Sequence, residues 1–180
     1  NLSFENYEGE TAKLDACMEL CEEMVSNGHQ ILLFSQFTSM LDILRSRLNA
    51  MGISNYTIQG STPKEERAKL VKEFNQGGAK VFLISLKAGG TGLNLTSADV
   101  VIHYDPWWNQ AAQNQATDRA HRIGQSACVH VYKLIAQGTI EEKILDLQER
   151  KAALLNVVSG DNDTAILDMS KEELLQLLEV

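Results

Sequence analysis

Three long polar side chains are the residues of this 180-residue sequence best suited to chemistry, and they lie in the run QNQATDRAHRIGQ at 113–125. Gln115, Arg119 and Arg122 stand at i, i+4 and i+7, a spacing that places them on one face of a helix. The two guanidinium groups are permanently charged and fork-shaped, so they suit a polyanion such as a nucleoside triphosphate. The spacing therefore predicts an anion-binding helix face.

A simpler interpretation is that both arginines are solvated or paired with nearby acids such as Asp118. The flanking sequence favours ligand binding. The apolar run at 100–102 precedes this helix, and Gly124 follows it at a position typical of a helix end. A helix that follows a buried strand lies at the edge of an α/β sheet, where ligands collect.

The glycine-rich run LKAGGTGLNL at 86–95 is a second candidate. Its glycines Gly89, Gly90 and Gly92 follow a buried strand and could present backbone N–H groups to phosphate. The amide of Asn94 could hold a sugar hydroxyl. A plain turn between strands is the alternative interpretation of this loop taken alone.

Tandem tryptophans form a third candidate, since Trp107 and Trp108 follow Asp105 and Pro106 where the chain leaves the sheet. One ring could stack on a base or a sugar, or wedge beside a duplex. Packing beneath the next helix is the alternative. The sequence has no cluster with metal-ligand spacing, so we expect no metal site.

The elements that position these groups alternate between helix and strand. Apolar periodicity predicts helices over 12–26 and 40–51, and a third helix to Phe74 that starts with a hydroxyl cap at Ser61 and Thr62. Short apolar runs predict strands at 31–34, 56–58, 81–84, 100–103 and 129–134. This order predicts an α/β fold, an open parallel sheet with helices on both faces.

The sequence divides into three predicted parts. Residues 1–138 form the α/β domain, and 139–158 form a long amphipathic helix. Residues 159–180 form a polar linker and a terminal helix, which completes a C-terminal helical extension. The sequence opens on Asn1, not methionine, so we expect a fragment of a longer protein.

Composition limits the function classes. The net charge of −8 argues against indiscriminate binding to nucleic acid but permits a small local groove. No apolar stretch of this sequence is long enough to cross a membrane, and we expect no signal peptide. The three cysteines form no disulfide framework, so we expect a reducing compartment, with Cys17 and Cys21 as buried small side chains.

The sequence lacks the G-x-x-x-x-G-K-[ST] loop with which self-sufficient nucleotide hydrolases hold a triphosphate. It also lacks a strand that ends in adjacent acids suited to magnesium. Arginines without a phosphate-binding loop therefore indicate half of a site.

Four segments together resemble successive motifs of the Swi/Snf-type ATPases of helicase superfamily two. They are ILLFSQFTSMLDILRSRL (31–48), YTIQGSTPKEER (56–67), the run from VFLIS to RIGQ (81–125) and VYKLIAQGTIEEKI (131–144). The resemblance covers nearly the whole chain and implies the second, C-terminal RecA-like lobe of such an enzyme. The helix at 139–158 resembles the family's brace, and the tail resembles bacterial members more than large eukaryotic remodellers.

The resemblance implies a nucleotide site shared with a first lobe. Arg119 and Arg122 match the family's arginine fingers, which reach the γ-phosphate, and Gln115 matches a glutamine near that phosphate. Gly92 and Asn94 match the loop that couples nucleotide to DNA, with Asn94 near the ribose. ATP would bind at the interface with the first lobe, which would also supply Mg²⁺.

The resemblance also implies a DNA-binding surface. Backbone N–H groups and hydroxyls at a helix start bind phosphate without net positive charge, which agrees with the acidic composition. The matching DNA-binding positions are Ser35, Gln36, Gly60, Ser61, Thr62, Gly90, Thr91, Trp107 and Trp108.

The expected function is therefore that of the second motor lobe of an ATP-dependent double-stranded DNA translocase. Its expected partners are the N-terminal RecA-like lobe of the same polypeptide, double-stranded DNA bound without sequence preference, and a DNA-bound protein. The expected location is the cytoplasm of a bacterium or the nucleus of a eukaryote. The alternatives are a non-catalytic module whose arginine face docks an acidic partner, and a lobe of a strand-separating DNA or RNA helicase.

Overall fold

Apolar runs of the sequence form the strands of one parallel sheet in a computed structural model, which describes residues 12–89, 93–106 and 129–159. The strand order is β2-β3-β1-β4-β5, and every neighbouring pair is parallel. Every residue of β1, β3 and β4 is buried, which is why these strands read as continuous apolar runs. The strands are β1 (Ile31–Ser35), β2 (Asn55–Ile58), β3 (Val81–Ser85), β4 (Val100–His103) and β5 (His130–Lys133).

Helices cover both faces of the sheet, which confirms the predicted α/β class. Side chains of a strand point alternately to its two faces, so Ile31 and Leu33 pack into a core with α1 and α2. Leu32 and Phe34 instead pack into a second core with α3. The helices of this unit are α1 (Ala12–Ser26), α2 (Thr38–Ala50), α3 (Lys64–Asn75) and α4 (Leu86–Gly89).

The α1 cysteines are fully buried in the first core, as the sequence predicts. Cys17 and Cys21 lie one turn apart and contact each other. The hydrogen bond with Cys21, followed by burial, raises the pKa of the Cys17 thiol. Both side chains therefore act as small apolar groups of the core.

Glycines follow two helices, close to the helix ends that the sequence predicts. Gly28 and Gly52 have φ values of 89° and 72°, in the left-handed region that favours glycine. After each glycine the chain closes back on the helix, with Ile53 N donating to Leu48 O at 2.9 Å after α2. These turns direct the chain from α1 into β1 and from α2 toward β2.

The start of α3 differs from the prediction of a hydroxyl cap. Pro63 occupies the N-cap position, and no side chain caps the helix. The Thr62 hydroxyl instead accepts a hydrogen bond from Gln59 N at 3.0 Å, inside the turn that precedes the helix. Pro63 is extended, with φ −58° and ψ 151°, which separates this turn from the first helical residue.

The predicted loop at 86–95 also differs, because its first four residues form the short helix α4. Ser85 starts this helix by accepting a hydrogen bond from Ala88 N at 3.2 Å. The α4 residues Leu86 and Ala88 belong to the core under α3, whereas the chain after β1 enters α2 on the opposite face. Neighbouring strands β1 and β3 thus send their connections to opposite faces, which leaves a crevice between them at the carboxyl edge.

The chain divides into two compact units, residues 1–136 and 137–180. Helix α5 (Ile140–Ser159) belongs to the second unit and matches the predicted amphipathic helix within one residue at each end. Thr139 Oγ1 accepts from Glu141 N at 3.2 Å and caps the helix start. Ile140, an apolar residue at the start of this helix, is 60% exposed. The predicted linker and terminal helix lie outside the described residues from 160 onward.

No helix in the described ranges is long and apolar enough to span a membrane.

His103 is a buried titratable group at the end of β4. Its side chain is 1% exposed, and its ring stacks on Phe34 with centroids 5.4 Å apart. Burial, with a smaller repulsion from Lys133, lowers the pKa of His103 to about 4. The imidazole is therefore neutral in the folded protein at neutral pH.

We expect acid to destabilise this lobe through His103. The unfolded chain binds the proton at its ordinary pKa of 6.5, before the folded protein does, so stability is lost as the pH falls from 6.5 toward 4. This shift in the pKa of His103 corresponds to about 3 kcal/mol of free energy of unfolding. In urea titrations at several pH values, acidification should lower the free energy of unfolding of the wild type by more than that of His103→Phe. The difference between the two losses should be about 3 kcal/mol. His130→Gln changes an exposed histidine on β5 and is the control; acidification should lower its free energy of unfolding as much as that of the wild type. Equal losses in the wild type and in His103→Phe would contradict the role of His103.

Candidate functional site

A cleft of about 480 Å³ lies in the crevice at the carboxyl edge of the sheet. Three connections contribute to its walls, because the carboxyl ends of parallel strands meet at one edge. The lining residues are Gln36, Phe37, Thr38 and Ser39 after β1, Gln59, Gly60 and Ser61 after β2, and Ser85 at the end of β3.

The cleft is lined by both polar and apolar surface, and none of these lining residues is charged. Its hydroxyls and amides can donate hydrogen bonds to an anion, in the way that uncharged groups hold phosphate. One aromatic ring is also present, since Phe37 is 56% exposed. The cleft therefore combines uncharged hydrogen-bond donors with an exposed aromatic ring.

A buried carboxylate holds the wall formed by the residues after β1. Asp105 follows β4, is 6% exposed, and accepts at Oδ2 from Ser35 Oγ at 2.5 Å and from Gln36 N at 3.1 Å. The Ser35 hydroxyl also accepts from Phe37 N at 3.2 Å. Ser35 itself is fully buried, so its hydroxyl fixes the loop and does not face the cleft.

The opposite wall of the cleft is a tight turn at residues 59–62. Hydrogen bonds within the turn and from the side chain of Arg67 stabilise it. Thr62 N donates to Gln59 O at 3.1 Å, in addition to the bond from Gln59 N to the Thr62 hydroxyl. Arg67 Nε donates to Thr62 O at 2.7 Å, and its Nη2 donates to Gly60 O at 2.8 Å and to Gln59 O at 3.1 Å. The planar guanidinium thus joins three carbonyls of the turn.

Asn94 lies at a second cavity, of about 640 Å³, beside α3. Asn94 is exposed, and its backbone carbonyl accepts a hydrogen bond from Asn75 Nδ2 at 2.8 Å, which connects Asn94 to the last residue of α3. The cavity is lined by Thr62, Lys64, Arg67, Ala68, Val71, Leu93 and Asn94.

The structure brings together part of the predicted site. Gln36, Gly60 and Ser61 line the cleft, whereas Ser35 and Thr62 use their hydroxyls to hold its walls. The other predicted residues lie outside the described part of the chain, and their roles stay predictions: Gly90, Thr91, Gly92, Trp107, Trp108, Gln115, Arg119 and Arg122.

Sequence reasoning missed Asp105, Arg67 and Phe37 as parts of the site. An acid directly after a buried strand was the available signal for Asp105, but its partners are 69 and 70 residues away. Nothing in the spacing of Arg67 distinguishes it from the other charged residues of α3. Phe37 gave no signal because an aromatic residue beside a strand is typical of a core.

Metal binding has no support in the described residues. In residues 12–89, 93–106 and 129–150, no group of three or more His, Cys, Asp or Glu side chains is placed to hold a metal ion.

The sequence of this chain matches the helicase conserved C-terminal domain over residues 12–124. The chain therefore belongs to the helicase C-terminal domain family. All the residues that line the cleft at the carboxyl edge lie within the matched range. A solved structure, the C-terminal part of the Fun30 ATPase domain, is 37% identical and superposes with a TM-score of 0.73 over 76% of this chain and 45% of that one.

Two relatives show which helicases this chain resembles. An uncharacterized ATP-dependent helicase of Mycoplasma pneumoniae is 41% identical over 170 residues, 94% of this chain. The SNF2 domain-containing protein ENL1 of Oryza sativa is 45% identical over 150 residues, 83% of this chain. The chain belongs to the Swi/Snf-type family and has the fold of a C-terminal RecA-like lobe, as its motifs predict. It spans only 16% and 15% of the length of these two relatives.

We expect Arg67 to determine the shape of the turn at 59–62. Arg67→Ala should lower the free energy of unfolding by about 1–3 kcal/mol, since three carbonyls lose a charged donor. Amide hydrogen exchange at Gln59 and Thr62, whose N–H groups are bonded inside the turn, should become faster. Arg67→Lys should recover little, because an ammonium group cannot match the fork.

Lys69→Ala is the matched control for this change. Lys69 lies on the exposed side of α3 and pairs with Glu73 at 3.8 Å, a surface pair worth about 0.5 kcal/mol or less. If Lys69→Ala and Arg67→Ala have equal effects on exchange in the turn, the role assigned to Arg67 is wrong.

Proposed function

We propose that this lobe is one half of the motor of an ATP-dependent double-stranded DNA translocase. Two observations support the proposal: membership of the Swi/Snf-type helicases, and an uncharged donor cleft at the carboxyl edge of the sheet. The cleft carries the proposal, because its hydroxyl and amide donors suit the oxygens of a phosphodiester backbone.

On the DNA side, we assign phosphate contacts to Gln36, Gly60 and Ser61. The N–H groups of Gln59 and Thr62 are used inside the turn, so the exposed part of the turn is left to Gly60 and Ser61. A Cβ at Gly60 would meet nothing within 4 Å, so a backbone could approach there closely. In this proposal Ser35 and Thr62 position the walls and do not themselves touch DNA.

The rest of the DNA surface rests on the motif resemblance. Gly90 and Thr91 would extend the phosphate contacts from the loop after β3, and Trp107 and Trp108 would lie beside the duplex. Backbone contacts of this kind are independent of sequence.

On the nucleotide side, ATP would bind between this lobe and a first RecA-like lobe. Arg119 and Arg122 would donate to the γ-phosphate oxygens and stabilise the charge that develops as water displaces ADP. Gln115 would lie near the same phosphate, and Gly92 and Asn94 near the nucleotide, with Asn94 at the ribose. Mg²⁺ would be held through the first lobe and would neutralise phosphate charge.

Hydrolysis would then be coupled to movement through the seam between the lobes. With ATP bound, the arginines draw the lobes together; after phosphate leaves, the seam opens. If each lobe holds the same DNA strand, alternate closing and opening moves the pair along it.

We expect hydrolysis to need both lobes. The isolated lobe should bind ATP weakly and hydrolyse none, and in the full-length protein Arg119→Ala or Arg122→Ala should lower DNA-stimulated turnover by about 10³-fold or more. Steady-state phosphate release at saturating ATP and DNA measures this. DNA affinity and the thermal midpoint should stay close to wild type.

Arg45→Ala is the control for loss of a cation, because Arg45 lies on the exposed side of α2 and pairs with Asp42 at 3.2 Å. Turnover by the pure isolated lobe would refute the shared site. Turnover at the wild-type rate in both arginine variants would show that Arg119 and Arg122 are not part of the nucleotide site.

We expect a negative charge in the cleft to repel DNA. Ser61→Glu in the full-length protein should weaken duplex binding by about tenfold in low salt, and the loss should shrink as salt rises. Ser61→Ala should have a smaller effect that salt does not change, since it removes a neutral donor.

Fluorescence anisotropy with duplexes of unrelated sequence measures both effects. Ser46→Glu adds the same charge on the exposed side of α2, away from the residues that line the cleft, and should bind as the wild type does. Equal weakening by Ser46→Glu and Ser61→Glu would mean that the cleft is not the DNA site.

A further inference from the structure

Phe37 is an exposed aromatic residue in the wall of the cleft. It is 56% exposed, although Ser35 before it and Leu41 after it are fully buried. The other residues that line the cleft are one glycine and residues with hydroxyl or amide side chains. The ring of Phe37 therefore gives this cleft a flat apolar surface that its neighbours do not provide.

The place of Phe37 at the start of α2 is unusual for a phenylalanine. Phe37 occupies the N-cap position, and no side chain caps the helix. Helices prefer Ser, Thr, Asp or Asn at this position, because a side-chain oxygen can accept from an N–H group of the first turn. A phenyl ring has no such acceptor, and its exposure to water is also unfavourable. Local stability therefore does not explain this residue, and residues that break local rules are expected at functional sites.

Hydrogen bonds on both sides of Phe37 fix its backbone. Phe37 N donates to the buried hydroxyl of Ser35 at 3.2 Å, and Phe37 O accepts from Leu41 N at 3.2 Å. The residue itself is extended, with φ −101° and ψ 120°. The end of β1 and the first turn of α2 thus set the point from which the ring extends.

The contents of the cleft suit an occupant with both polar and apolar parts. Gln36 and Ser61 offer hydrogen bonds, Phe37 offers an apolar face, and Gly60 on the opposite wall has no side chain. A DNA backbone has matching parts, because each phosphate is bonded to a sugar whose C–H groups form an apolar face. In a paired duplex the faces of the bases are stacked on one another, so the sugar is the apolar group beside each phosphate.

We propose that Phe37 is a DNA-binding residue whose ring packs against a sugar of the bound strand, beside the phosphate that Gln36 or Ser61 contacts. The inference rests on the proposed function. The contact is uncharged and does not involve a base. It therefore adds affinity without adding sequence preference and without releasing counterions from the DNA.

The test is the affinity of the full-length protein for duplex DNA, measured by fluorescence anisotropy over a range of salt concentrations. Phe37→Ala should weaken binding by about fivefold to tenfold, the effect of burying roughly 40–50 Å² of apolar surface. The factor should be the same for duplexes of unrelated sequence, and the slope of log Kd against log salt should match the wild type. A loss of affinity that shrinks as salt rises would overturn the inference.

Two further variants at the same position separate the ring from the fold. Phe37→Tyr keeps the ring face and should bind duplex DNA within about twofold of the wild type. Phe37→Ser supplies a hydroxyl at the N-cap and removes the exposed ring, so its thermal midpoint should equal or exceed that of the wild type while duplex binding weakens. A lower thermal midpoint with wild-type affinity in Phe37→Ser would make the ring structural and would overturn the inference.

Ile43→Ala is the matched control for loss of an exposed apolar side chain. Ile43 also lies on α2 and is 42% exposed, but it is not among the residues that line the cleft. Ile43→Ala should bind duplex DNA as the wild type does. Equal weakening by Ile43→Ala and Phe37→Ala would overturn the inference.

A second DNA substrate distinguishes a sugar contact from stacking on a base. Aromatic rings stack on the faces of unpaired bases, which a fully paired duplex does not expose. Phe37→Ala should therefore lose affinity by the same factor for a fully paired duplex and for a duplex with a short single-stranded gap. A loss confined to the gapped DNA would mean base stacking and would overturn the inference.

The outcomes separate this inference from the proposed function. A wild-type protein that does not bind duplex DNA would overturn both. A wild-type protein that binds duplex DNA and is weakened by Ser61→Glu, with Phe37→Ala binding as tightly as the wild type, would overturn the inference alone.

Discussion

The central position of β1 is the constraint on which this lobe depends. β1 is hydrogen-bonded to β3 on one side and β4 on the other, and every one of its residues is buried. A strand held on both edges and both faces cannot shift register without exposing its apolar side chains. The connection after it therefore leaves the sheet at a fixed point, and the cleft forms where that connection and the one after β3 diverge.

The uncharged cleft explains how an acidic protein can be a candidate for DNA binding. The chain carries a net charge of −8, and the residues that line the cleft add no cation. Attraction between opposite charges is thus weak at this surface. Binding there would depend on N–H and hydroxyl donors held at the correct positions, which is why the two walls are braced by Asp105 and Arg67.

The sequence predicted the order and type of the elements well. Strands such as β1 and β3 are apolar throughout because both faces are covered, and α1 and α2 end at glycines that adopt positive φ. These signals are local: each depends on the burial or backbone geometry of a few adjacent residues. The sheet class and the five strands follow from them.

The contacts of the site could not be predicted in the same way. The bond between Ser35 and Asp105 needs β1 and β4 to be neighbours, and that depends on a crossover that no local pattern specifies. Thr62 was predicted to cap α3, but a hydroxyl can accept equally well from a turn. The extended Pro63 decided the outcome by placing Thr62 one residue too far from the helix.

The turn at 59–62 has a consequence for the kind of strand that this lobe could hold. Its carbonyls are drawn inward by Arg67, so Gly60 and Ser61 are presented at a set separation from Gln36 across the cleft. Hydrogen bonds lose strength steeply with misalignment, so two walls held in this way favour a ligand whose acceptors match the spacing of the donors on both sides of the cleft.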